Sequence, residues 1–297
     1  MSTTSPETWP EKVPLRREEP LSKWTTLRVG GPAEFFFEPG RPEDLAAILD
    51  RCQAEGILWR MLGGGANVLP PDEGVRGAVI HTGGMRRVFR EGDGLRAWAG
   101  ATLPQLVRAA AESGLSGMEN LAGVPGHVGG GLAMNAGTAG WGMWDPLEEV
   151  VLRLRDGELI SRTRGEVGPG YRDGNLDGAV VLEALFRLEP APKKEIQARI
   201  ESFLKRKRDT QPVTLSSAGC AFKNPPGDFS AGALVEAAGL KGAREGGILV
   251  SEKHANFLIQ EGEGTSTQVV ALLERMEKAV EEDSGIRLHR ELVVWSA

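Results

Sequence analysis

The chain has 297 residues, 40% apolar and 26% charged, with a net charge of −6. That balance fits a globular protein of two or three compact units, and it argues against general binding to nucleic acid or to an anionic membrane surface. Two cysteines, Cys52 and Cys220, exclude a disulfide framework and a four-cysteine metal site, so no metal is expected.

Residues 1–20 are polar and proline-rich without an apolar leader segment, and read as an arm. No apolar run approaches the roughly 18 residues of a membrane span, which makes a reducing cytoplasm the expected setting. A strand is predicted over Ala33–Pro39, then a helix opening at Pro42 and ending near Gly56. Within it Leu45, Ile48, Leu49 and Cys52 follow the i, i+3, i+4, i+7 pattern, so Cys52 reads as a small core residue. The short apolar runs LWRML, GAVIHT and LRAWAG follow between glycine-rich turns, and a second helix is predicted at about 103–113, between Thr102 and Gly114. EEVVLRLRDGELISRT reads as a hairpin turning at Asp156-Gly157, AVVLEALFRLEP as a strand and PAPKK as a linker.

Beyond the linker, helices are predicted at 194–207, 230–238 and 265–283. The last opens with Thr265 and Gln268 at capping-box spacing, ahead of Val269, Leu272, Leu273 and Met276. NFLIQ and LHRELVVW read as strands. Helices and strands alternate irregularly, which indicates an α+β fold.

Two glycine-rich stretches interrupt this pattern. RMLGGGANVL places Gly63, Gly64 and Gly65 directly after a strand-like run, with neither a dinucleotide fingerprint nor a P-loop lysine. It is either a tight strand connection or a nest of loop amides suited to phosphate oxygens. AGVPGHVGGGLAMNAGTAG carries seven glycines with almost no charge, yet also Val124, Val128, Leu132 and Met134. A solvated linker would be polar; this stretch is either packed against a bound planar cofactor or a close-packed turn. Cys220 lies in SSAGCAFKNP, a polar turn that a structural thiol would not need.

In order and spacing, TTLRVGGPAEFFFEP, LGGGANVL, GVPGHVGGGLAMNAG, YRDG, SAGCAFKNP, AGLKG, SEKHANFLI and LHRELVV resemble the UDP-N-acetylenolpyruvoylglucosamine reductase family, over about residues 21–295 and in its shorter type. The resemblance implies an FAD-binding domain of the vanillyl-alcohol-oxidase/PCMH type over 21–190, made of two α+β subdomains, and a C-terminal α+β substrate-binding domain over 191–297. It also implies NADPH as co-substrate, UDP-N-acetylglucosamine enolpyruvate as substrate and a bacterial cytoplasmic setting. FAD contacts are implied at Gly63, Gly64, Gly65, Ala66 and Asn67. Others are implied at Gly123, Pro125, Gly126, Gly129 and Gly130, and at Asn135, Ala136 and Gly137. His127 stands where the family usually has threonine or serine; a covalent flavin link is conceivable there, and a non-covalent flavin is expected.

The same resemblance implies catalytic roles for Arg172, Glu291 and Cys220. Hydride addition to a double bond conjugated with a carboxylate drives charge onto an existing anion, so the site needs fixed donors and a proton source. Arg172 would grip the carboxylate with two bonds; the alternative is a surface arginine paired with Asp173. Gly174 departs from the family's serine two residues on. Glu291, predicted to share a strand face with His289 and Val293, would become a hydrogen-bond donor if desolvated. Cys220 stands where the family has serine or cysteine. A thiol with an ordinary pKa of about 8.5 is protonated at neutral pH and is a far stronger acid than serine. Tyr171, Lys223, Asn224 and His254 match positions near the substrate. The basic run LKRKRD either attracts a diphosphate or complements its helix C-terminus. An oxygen-using oxidase and a redox-inert sugar-nucleotide binder are the competing readings.

Overall fold

Two apolar cores organise the chain in the computed structural model, which describes Trp9 and residues 13–297 except Ala139. The first unit comprises residues up to Glu18, Glu34–Gly64 and Arg76–Leu204; the second comprises Glu19–Ala33, Gly65–Val75 and Lys205–Ala297. Most of the predicted arm at 1–20 lies outside the described residues, but Leu15–Pro20 is a strand.

The first unit holds two sheets. One has the order Leu15–Pro20, Pro32–Phe37, Val75–His81, Trp59–Leu62, with its last pair parallel. It is backed by helix α1 (Pro42–Glu55), which starts at a proline, ends at left-handed Gly56 and buries Leu45, Ile48, Leu49 and Cys52 as the spacing predicts. Burial pushes the Cys52 thiol up to about 11, leaving it inert. The other sheet is antiparallel, in the order Leu159–Arg162, Leu147–Arg153, Val180–Arg187, Gly94–Trp98, Val88–Glu91. Asp156-Gly157 turns its hairpin as predicted, and α2 (Leu103–Glu112) is capped by the Thr102 hydroxyl.

Two segments of the first unit differ from the sequence reading. The glycine stretch contains a short helix, α3 (Val128–Ala133), because its glycines allow close packing: a Cβ at Gly129 would meet Ala99 at 3.1 Å and one at Gly131 would meet Met143 Sδ at 2.7 Å. The PAPKK linker is tied down, since Glu189–Pro190 pairs with Leu115–Ser116 and Ala191 donates to the Gly114 carbonyl. A further short helix, α4 (Arg164–Val167), precedes the 170–178 segment, and α5 (Lys193–Thr210) follows the linker. At the basic end of α5, Lys205 forms an exposed pair with Asp209 one turn on, and the Arg208 backbone carbonyl accepts from Lys253.

In the second unit an antiparallel sheet runs Ser217–Cys220, Phe257–Gln260, Ile248–Val250, Arg244–Glu245, accompanied by α6 (Ala231–Ala237) and α7 (Ser266–Ser284). The predicted capping box of α7 is present, and the Asp72 carboxylate accepts from the Ser266 and Thr267 amides at 2.7 and 2.8 Å. LHRELVVW is not one strand. His289–Arg290 pairs antiparallel with Phe222–Lys223, Val293–Val294 pairs parallel with Val68–Leu69, and Glu291–Leu292 is the crossover between them. Simple alternation fails there because the chain changes partner and sense within two residues.

Candidate active site

In the first unit the two glycine stretches meet. A Cβ at Gly64 would lie 2.9 Å from Gly126 Cα, and one at Gly63 would lie 3.7 Å from His127 Cβ and 3.9 Å from Gly130 Cα. At Gly64 only bare backbone permits that approach, whereas a Cβ at Gly63 would make ordinary contacts and one at Gly130 would point into open space. Among the described residues, none of the N–H groups of Gly64, Gly65, Ala66 and Asn67 donates to a protein acceptor. Such a run of amides suits an anionic ligand. The division between the units falls inside this loop, after Gly64.

Further along, Gly123 and Gly126 take positive φ on either side of Val124-Pro125, which turns the chain toward α3. Asn135, left-handed at φ 40°, donates through Nδ2 to the Gly170 carbonyl at 2.8 Å and accepts from the Trp144 amide at 3.3 Å. Ala136 donates to Gly131, and Gly137 pairs with Gly142. Thr138 Oγ1 is buried with no partner among the described residues, an orphan that a ligand polar group would satisfy.

Tyr171 and Arg172 occupy a tight turn closed by bonds between Gly170 and Asp173. Arg172 has φ 53°, a conformation that side-chain-bearing residues adopt at a cost of about 1–3 kcal/mol. Its Nη2 donates to the Gly137 carbonyl at 2.7 Å, and its guanidinium lies 5.1 Å from the Tyr171 ring centre. Tyr171 is itself 55% exposed. Gly174 is required here: its amide donates to Ala133, and a Cβ would collide with the Leu132 carbonyl oxygen.

His127 is buried behind the Gly63–Gly64 approach, with Nδ1 3.0 Å from Thr82 Oγ1 and its ring 5.6 Å from that of His81. Burial, with His81 and Arg86 adding, pushes its pKa down to about 4. His81 is also lowered by burial, against the opposing effect of Glu38 at 3.2 Å.

In the second unit Cys220 ends a strand whose ladder slips between Ser217 and Cys220, with left-handed Gly219 at the slip. The thiol is half-buried. The next residue joins it to Glu291: the Ala221 carbonyl accepts from Glu291 N at 2.8 Å and Leu292 N at 3.3 Å. Asn67 brackets the same crossover, donating from Nδ2 to the Glu291 carbonyl at 2.9 Å and accepting from Val293 N at 3.1 Å. Glu291 is half-buried, and its neighbour Arg290 is engaged elsewhere by a two-pronged pair with Glu277 at 2.5 and 2.8 Å.

Lys223 is half-buried on the strand opposite His289. Asn224 accepts from the Ala231 amide at 3.0 Å, holding the turn before α6. His254 stands edge-on to Phe257 with ring centres 4.9 Å apart, and its Nδ1 accepts from Asn256 N. Burial keeps its pKa below the ordinary value; a backbone hydrogen bond opposes this and Lys241 adds to it.

Two residues of this unit escape the sequence reading. Asn256, 3% exposed, accepts from Phe222 N at 2.9 Å and donates to Phe222 O at 2.8 Å, while its own carbonyl accepts from Ala221 N. Thr26 donates through its hydroxyl to Ser217 O at 2.6 Å and through its amide to Gly65 O at 3.0 Å. Their only sequence signal is membership of the motifs SEKHANFLI and TTLRVGG. The structure thus gathers Gly63, Gly64 and the 123–137 loop with Arg172 in one unit, and Asn67, Cys220 and Glu291 in the other. Among the described residues no cluster of three or more His, Cys, Asp or Glu could hold a metal, and no helix is long and apolar enough to cross a membrane.

Residues 33–162 match the model of an FAD binding domain, and residues 211–295 match that of the UDP-N-acetylenolpyruvoylglucosamine reductase C-terminal domain. The chain is 40% identical over 284 residues to UDP-N-acetylenolpyruvoylglucosamine reductase 2 of Symbiobacterium thermophilum, covering 95% of this chain and 92% of that one. It is 41% identical over 280 residues to the Geobacter metallireducens reductase, covering 94% and 93%. The crystal structure of the Thermus caldophilus reductase superposes with a TM-score of 0.82 at 38% identity, covering 96% and 99%. The fold class is therefore the expected α+β one, an FAD binding domain followed by the C-terminal domain of the reductase family.

Proposed function

Because the chain belongs to the UDP-N-acetylenolpyruvoylglucosamine reductase family of FAD-binding oxidoreductases, we propose that it reduces the enolpyruvyl ether of UDP-N-acetylglucosamine to UDP-N-acetylmuramate with electrons from NADPH. This step belongs to peptidoglycan precursor synthesis, and we place it in the bacterial cytoplasm in support of cell shape and division. Residues 21–190 serve the flavin and 191–297 the substrate, with Glu19–Ala33 and Gly65–Val75 packing in the second unit.

The residues present fit a non-covalent FAD. Within the first unit the Gly64 amide and the glycine backbone of 123–130 suit its diphosphate, and the 135–137 segment, beside the Thr138 hydroxyl that has no partner among the described residues, supplies further polar contacts. In the second unit the amides of 65–67 offer donors of the same kind. When bound, FAD would supply the hydride-transfer chemistry that links NADPH to the substrate olefin. Arg172 neutralises the substrate carboxylate as charge builds there, Glu291 donates a hydrogen bond to the same group, and the Cys220 thiol protonates the adjacent carbon. Tyr171, Lys223, Asn224 and His254 contact the sugar nucleotide. Burial holds the His254 pKa below its ordinary value.

The observation that carries this reading is the single peptide between the proposed acid and the proposed carboxylate: Ala221, covalently next to Cys220, accepts the Glu291 amide. A general acid and a donor to the developing anion are thereby set on one rigid backbone. The test is spectroscopic. The purified protein should be yellow, bleach anaerobically with NADPH and recolour on adding the enolpyruvyl substrate. Rapid recolouring by air alone favours an oxidase, and protein unable to take up FAD favours a binding role.

A further inference from the structure

Glu291 occupies an awkward place in the backbone. Behind it, the chain pairs antiparallel with Phe222–Lys223; ahead of it, parallel with Val68–Leu69. The antiparallel ladder ends at Ala221, whose carbonyl is shared by Glu291 N and Leu292 N. At this crossover the Glu291 carbonyl accepts from a side chain: Asn67 Nδ2, at 2.9 Å and 224 residues away in sequence. The Asn67 carbonyl also accepts Val293 N at 3.1 Å, so one residue holds both ends of the crossover.

The requirement is chemically narrow. The side chain must present an N–H one methylene from the backbone while its own main chain joins the parallel pair. Aspartate has the shape but no donor, and its charge would face a carbonyl oxygen. Glutamine has the donor but one carbon too many.

We infer that Asn67 is a positioning residue for Glu291, setting the carboxylate through its peptide rather than by contact with the substrate. This rests on the proposed role of Glu291. Asn67 also ends the loop whose amides suit the FAD diphosphate, so the loop that receives the cofactor and the peptide that aims the carboxylate share one residue. Misplacement by about 1 Å at a reacting centre costs on the order of 100-fold in rate.

The experiment is a double-mutant cycle with FAD saturating, measuring flavin reduction by NADPH and flavin reoxidation by the enolpyruvyl substrate separately. Asn67→Ala and Asn67→Asp are each combined with Glu291→Ala; the aspartate variant keeps size and the parallel pairing should alanine fold poorly. Each single Asn67 variant should slow reoxidation by about 10- to 100-fold, with a smaller loss in flavin reduction. In the Glu291→Ala background the same changes should cost less than about twofold, since no carboxylate is left to aim. Equal, multiplicative losses in both backgrounds overturn the inference. So does a defect in FAD affinity alone that saturating FAD restores. If Glu291→Ala itself reoxidises normally, the proposed role of Glu291 fails and the inference falls with it.

Discussion

Arg172 donates from Nη2 to the carbonyl of Gly137 at 2.7 Å, so the proposed carboxylate-binding guanidinium is fastened to the glycine segment proposed for the flavin. The left-handed backbone at Arg172 and the Asn135 bond to Gly170 brace the same turn. A strained residue held by its surroundings is a frequent mark of a working site.

Arg172→Lys should lower kcat/KM by about 100-fold or more, the scale of losing a fixed donor to a developing anion. A lysine is a point charge and cannot both keep the Gly137 bond and grip a carboxylate with two prongs. Steady-state kinetics decide; turnover near normal removes Arg172 from the site.

Gly174→Ser restores the family's usual residue and should nonetheless destabilise this chain by about 2 kcal/mol, because its Cβ meets the Leu132 carbonyl oxygen. Denaturant unfolding of the holoprotein measures it. A neutral or stabilising result would mean that the 170–178 segment relaxes freely.

Cys220→Ala should leave flavin reduction by NADPH close to normal and slow the oxidative half-reaction by at least about 100-fold, the lower range for a lost general acid. Cys220→Ser should retain measurable turnover. Stopped-flow traces of the two half-reactions separate the outcomes, and equal damage to both would indicate a folding or flavin defect.

The pH dependence of stability should show the buried His127. Its folded pKa, about 4, lies below the ordinary value of 6.5. Its contribution is therefore complete above pH 6.5 and is lost as pH falls toward 4, up to about 3 kcal/mol over that window. The groups around it are Thr82, His81 with Glu38 and Arg16 behind it, and Arg86. His127→Ser should flatten the fall in melting temperature between pH 7 and pH 4.5; an unchanged slope would assign the acid sensitivity elsewhere.

Legibility in the sequence follows the range of the interaction. The α1 stripe, the Asp156-Gly157 turn and the Thr265–Gln268 capping box are written within a few residues and were readable as such. The helix inside the glycine stretch was not, since what permits it is the nearness of Ala99 and Met143. Neither was the crossover at Glu291, because a strand's pattern does not record a change of partner. Thr26, Asn67 and Asn256 act on backbone 191, 224 and 34 residues away, and no local periodicity marks them. Motif resemblance marks the neighbourhoods of these residues, while their roles as straps depend on contacts that only the folded chain brings together.

The parallel pairing of Val68–Leu69 with Val293–Val294 also bears on biosynthesis. The second unit gathers Glu19–Ala33 and Gly65–Val75 with residues 205–297, so its early segments must wait on the ribosome for partners made some 200 residues later. Until Val294 emerges, the Val68 edge is an open template for wrong strand partners, and nascent chains stalled before that point should be the ones that chaperones hold.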